Sequence, residues 1–159
     1  MLSMSQKTDQ MLAYIVKARG NASVTILMKL AYLADLTMVQ SGKKKISEFT
    51  YKRWNYGPFD RSIYGAIERL EEAGTLSVRI ECDSLGNDYG VYSIADGVTP
   101  SFDLLSTEET FTIDELIRSL KGYGAKTLTD LAYKTAPMTS IGAVLGGRQA
   151  MGKELNLSA

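Results

Sequence analysis

With 159 residues, 45% of them apolar and 23% charged, the chain has the length and composition of a single globular domain with a sizeable core. Its 18 basic and 18 acidic residues cancel, which argues against a protein whose main task is wrapping a phosphate backbone. Histidine is absent, and with it go the commonest general base, the usual catalytic triads and most zinc sites.

A single cysteine, Cys82, allows no intrachain disulfide. No apolar run approaches membrane-spanning length, and Gln6-Lys7-Thr8-Asp9-Gln10 lacks the apolar core of a signal peptide. The expectation is a cytoplasmic protein with no membrane segment.

In chain order, Met11, Leu12, Ile15 and Val16 form one stripe of a helix over 6–19, closed by Gly20-Asn21. Ser23 is the expected N-cap of a second helix that runs to about Gln40. Its apolar face (Ile26, Leu27, Leu30, Leu33, Ala34, Met38) is broad, as in a central helix contacted from more than one side. Lys29, Tyr32 and Asp35 interrupt that face. Gly42-Lys43-Lys44-Lys45 reads as a solvated turn, and 46–56 as irregular or extended chain.

Tyr51 to Phe59 holds the only Trp, two Tyr, a Phe and a Gly-Pro step. Pro58 suits the first turn of a helix, so a third helix is expected over about 58–73, with Phe59, Ile63, Ala66, Ile67 and Leu70 inward. The period then changes. Leu76, Val78, Ile80 and Cys82 alternate with polar residues as a half-buried strand; Asp83 to Asp88 turns the chain, and Tyr89 to Ile94 returns it as a β-hairpin. After a connector, Ser106-Thr107-Glu108-Glu109 is a capping box that opens a fourth helix ended by Gly122. A fifth helix follows at about 126–135, shut down by Pro137. Glycines 142, 146, 147 and 152 thin the pattern beyond.

The expected class is α+β, mainly α: a single domain of about five helices and one hairpin, winged-helix-like in its first three helices plus hairpin. The domain is expected over 1–139, with 140–159 as a loosely packed tail. The third helix, however, offers Asp60, Arg61, Glu68, Arg69, Glu71 and Glu72, an acidic excess where a DNA reader needs positive charge.

Motifs for catalysis are missing. Gly142-Ala143-Val144-Leu145-Gly146-Gly147-Arg148 lacks the lysine and hydroxyl of a phosphate loop. The pairs Glu71/Glu72 and Glu108/Glu109 read as solvated or capping groups, and Cys82 as a small hydrophobe packed in its strand or at the strand edge. No enzyme, metal or cofactor is expected. The Trp54/Tyr56/Phe59 cluster reads either as a brace between the second and third helices or as a partner patch. In the mixed case Trp54 is buried while Tyr51, Arg53 or Tyr56 is exposed. Asp35, facing that cluster, is placed to hydrogen-bond its backbone or a tyrosine hydroxyl.

Leu27 to Asp35, then Tyr51 to Phe59, then Ile63-Tyr64 and Leu70 to Leu76 resemble the SocA-like antitoxin domain, also called Panacea, whose members include GepA proteins of phages and mobile elements. Lys29, Tyr32, Asp35, Trp54, Tyr56, Gly57 and Pro58 occupy its motif positions, over a match of about 10–135. Family members often carry His and Trp after the late helix, where this chain has Tyr133 and Pro137-Met138. The resemblance implies a non-enzymatic module that neutralises a toxin encoded by a neighbouring gene, by direct contact or by handing it to a protease as an adaptor. The candidate contact residues are Tyr51, Arg53, Tyr56, Arg61, Glu68 and Arg69. The alternatives are a winged-helix transcriptional regulator acting on DNA, and a phage or mobile-element accessory protein that shares the fold.

Overall fold

The computed structural model describes residues 4–159, an α+β fold with six helices and a small antiparallel sheet among the described residues. Helix α1 spans Met4–Arg19, and a two-residue strand β1, Ala22–Ser23, leads into α2, Val24–Gln40. The Ser23 side chain accepts from the Ile26 amide, the N-cap expected from sequence. α2 is buried almost throughout from Leu27 to Leu36, because neighbours cover it on several sides.

The two short strands β2, Lys52–Trp54, and β3, Gly57–Phe59, pair antiparallel ahead of α3, Ser62–Glu72. Strands β4, Leu76–Cys82, and β5, Asp88–Ile94, form the expected hairpin, and β1 adds to its edge in the order β1-β5-β4. Helices α4 (Thr107–Ser119), α5 (Ala125–Tyr133) and the single turn α6 (Ala136–Thr139) complete the chain. The capping box at Ser106 and Glu109 forms in both directions. α1, α4, α5 and β3 all pack against α2.

Three expectations are corrected. Pro58 does not start a helix; it lies in β3, opposite Arg53. The Arg53 amide and carbonyl both bond the C-terminal segment, at Lys153 O and Gly152 N, so the ladder facing β3 has a non-hydrogen-bonded pair here. The N–H that proline lacks would point off the outer edge, and nothing is lost. Asp60 opens the third helix instead, accepting from the Ser62 amide and hydroxyl at 2.8 Å and from the Thr50 amide at 2.8 Å.

The β4–β5 hairpin is less buried than its alternation suggests. Leu76 and Val91 reach the core, but Val78 and Ile80 are exposed, and so is Cys82, because the outer part of the hairpin runs past the helices. The segment 140–159, expected to be loose, is tied down. Ala143 and Leu155 are buried, and Gly152, Lys153 and Leu155 exchange backbone hydrogen bonds with Tyr51 and Arg53 along the free edge of β2. Its glycine-rich composition hid this, since backbone pairing needs no hydrophobic period.

Candidate functional site

The site grows from α2 and the β2–β3 ribbon. Along β2 the alternation of a strand turns Tyr51 and Arg53 inward and Lys52 and Trp54 outward. Trp54 and Gly57 pair, and Asn55 and Tyr56 form the tip. Gly57 takes φ +111°, a conformation that any Cβ would strain; that Cβ would also stand 3.5 Å from Lys29 Cε and 3.7 Å from Tyr133.

Asp35 is wholly buried and fully engaged. Oδ1 accepts from the Ile46 and Ser47 amides at 2.6 and 3.1 Å; Oδ2 accepts from the Ser47 hydroxyl and, at 2.7 Å, from the Tyr51 hydroxyl. The bond to a tyrosine hydroxyl is the one expected from sequence; the backbone donors come from Ile46 and Ser47, ahead of the aromatic segment, rather than from that segment itself. Burial pushes the Asp35 carboxyl above its ordinary value while these hydrogen bonds pull it back. Burial, and then the charge of Asp35, push Tyr51 well up. Tyr32 packs edge-on against Tyr51 and hydrogen-bonds Thr135 at 2.7 Å; burial pushes it up to about 12.

Arg53 is the largest fully buried side chain, and among the described residues it has no carboxylate partner. Its guanidinium donates to the carbonyls of Trp54, Val144 and Gly147, touches Met151 Sδ, and lies 5.2 Å from the Tyr133 ring. Nε is left without an acceptor. The Tyr133 hydroxyl donates to the carbonyls of Trp54 and Asn55, both at 3.2 Å. Arg53 and Tyr133 thus clamp the ribbon tip from inside. Neither role was visible in the sequence, because each depends on main-chain carbonyls brought from distant segments.

The clamp presents an aromatic surface. Trp54 is 43% exposed, Tyr56 69% and Tyr64, on the first turn of α3, 56%. With Phe59, Arg61 and α2 residues Val24, Thr25, Met28 and Lys29, they line a cleft of about 410 Å³. Two larger clefts, of about 570 and 580 Å³, flank α4 and the three-stranded sheet, but neither is lined by a buried, unpaired charge. In the 410 Å³ cleft there is one. Lys29 is 3% exposed as a residue; among the described residues nothing gives its ammonium a hydrogen bond or ion pair, and since Nζ is not among the fully enclosed unpaired atoms it opens on the water of the cleft. Burial alone pulls it down to about 8.

Of the mixed reading of the ribbon, Tyr56 is exposed as expected, but Trp54 is exposed rather than buried, and Tyr51 and Arg53 are inside. Arg61 stands on the cleft rim and Glu68 is exposed one turn or more along α3. Arg69, also exposed, is held by a bidentate pair with Asp9 of α1, at 2.9 Å for both bonds. Tyr64 was missed as a site residue; its spacing from Phe59, with which it packs at 5.9 Å, was the available signal. Among the described residues no group of three or more acidic or Cys side chains gathers that could hold a metal ion. No helix among them is long and apolar enough to cross a membrane.

Fold and cleft define a small α+β domain with a rigid aromatic surface over a buried cation. A family model described as antitoxin SocA-like, Panacea domain matches residues 27–137, and the chain belongs to that family. The match starts at Leu27, in the first turn of α2, and contains the whole β2–β3 ribbon. No curated protein and no solved structure matches the chain.

Proposed function

We propose that the protein is an antitoxin that neutralises a protein toxin by direct contact, without chemistry of its own, through the β2–β3 tip and the start of α3. One observation carries this reading: Trp54 and Tyr56, on a ribbon clamped from below, are exposed beside Tyr64 of α3. Tryptophan, tyrosine and arginine dominate interface hot spots, and a surface already rigid spends little entropy on binding. Arg61 adds a charge at the rim. Arg69 belongs to the α1–α3 pairing, so it is a poor probe of the surface.

The test is co-expression with the product of the neighbouring gene, read by pull-down and growth rescue. Trp54→Ala and Tyr56→Ala should each abolish rescue. Tyr56→Ala should shift stability by no more than about 0.5 kcal/mol, and Trp54→Ala should cost about 1 kcal/mol, well below the 3–5 of a fully buried indole. Rescue that survives both substitutions would remove the surface from consideration. Rescue that depends on a host protease would replace blocking with proteolytic delivery.

A further inference from the structure

We infer that the cleft beneath the aromatic ribbon receives a carboxylate of the toxin, with Lys29 as its buried counter-charge and the surrounding rings holding the residue that carries it. The source of that carboxylate rests on the antitoxin reading; the cleft's chemistry does not.

Three observations converge. Lys29 lies 97% inside the protein, on a helix where Leu or Met would fill the same volume without desolvating a charge. Among the described residues it has no acceptor, whereas Asp35 on the same helix has four donors, so the fold is able to satisfy a buried charge and here does not. The lining of the cleft is also one-signed: Lys29 and Arg61 are its only charged residues, and no carboxylate belongs to it.

A single carboxylate fits this arrangement better than a phosphodiester chain. Nucleic acid is held by many cations spread over an open surface. Here one ammonium, on a buried lysine whose tip opens on the cleft, and one guanidinium share a lining with Trp54, Tyr56, Phe59 and Tyr64. Those rings suit an apolar side chain next to the acid. An ammonium with no competing internal partner forms its strongest bond with an ionised oxygen.

The test needs no toxin. Lysine Cε resonances of the full-length protein are followed by NMR while three probes are added: N-acetyl-phenylalanyl-glutamyl amide, N-acetyl-phenylalanine and the uncharged N-acetyl-phenylalanyl-glutaminyl amide. The two carboxylates should move the Lys29 resonance and raise its titration midpoint; the glutaminyl probe should not. Tighter binding of the glutamyl probe would assign an acidic side chain of the toxin, and tighter binding of N-acetyl-phenylalanine its C-terminus. Lys29→Met should weaken either complex by about tenfold or more. The wild type supplies a second readout that needs no variant, since binding should fade as pH rises through about 8. The inference is overturned if neither carboxylate moves Lys29, if the glutaminyl probe binds equally well, or if affinity ignores both Lys29→Met and pH. Growth rescue tests the antitoxin reading separately, so either can fail without the other.

Discussion

Lys29 and Asp35 are two buried charges on one helix, six residues apart, and the fold treats them in opposite ways. At 3.6 residues per turn they point about 120° apart. Asp35 faces the segment 46–51 and collects four donors from it; Lys29 faces the ribbon tip and collects no acceptor. A buried charge with all its partners inside the chain is architecture, because it fixes where a neighbouring segment lies. A buried charge without one costs stability and calls for a partner from outside. The contrast separates a charge that holds its neighbouring segment in place from one that the chain leaves without an internal partner.

The largest expected effect lies on the architectural side. Asp35→Ala strands two amides, the Ser47 hydroxyl and the Tyr51 hydroxyl in the interior, and should cost about 4 kcal/mol or more in chemical denaturation. A loss below about 1 kcal/mol would show that 46–51 holds its course without the carboxylate.

Truncation after Ala150 comes next. It removes the backbone partners of Tyr51 and Arg53, the Met151 contact to the guanidinium and the buried Leu155. The expected loss is about 3 kcal/mol, against the negligible effect that a loose tail would give.

The functional side should move the other way. Lys29→Met should stabilise the protein by about 2 kcal/mol at neutral pH. The wild type should itself gain stability with pH. The folded Lys29 releases its proton near 8, whereas the unfolded one keeps it to about 10.5; between those values the unfolded chain binds more protons, and stability rises. The gain should reach about 2 kcal/mol by pH 10, beyond which the raised tyrosines Tyr32 and Tyr51 reverse the slope. The other titratable or charged groups near the cleft, Arg61, Tyr56, Tyr64 and Tyr133, are common to wild type and variant. Denaturation of both from pH 7 to 10 should therefore show the rise in the wild type alone.

Much of the architecture was legible because it follows from local rules. Ser23 and the Ser106–Glu109 box announced two helix starts, the period of two after Gly74 announced the hairpin, and an aspartate in an apolar helix face had to find donors. The ribbon was illegible as strands, since three residues are too few to show an alternation and Gly57-Pro58 mimics a helix start. Its exposure pattern is hidden with it: without the alternation nothing in the sequence distinguishes Trp54, which faces out, from Tyr51 and Arg53, which face in. Lys29 stood out as a motif position, but that it lacks an acceptor depends on what α5, β3 and α3 fail to provide. Only three dimensions show an absence of that kind.

Growth rescue by Lys29→Met, co-expressed with the toxic neighbour at matched soluble levels, tests the division most directly. The account predicts a protein more stable than the wild type that no longer protects the cell. Full rescue by a stabilised Lys29→Met variant would contradict it and would make Lys29 a packing residue that happens to carry a charge.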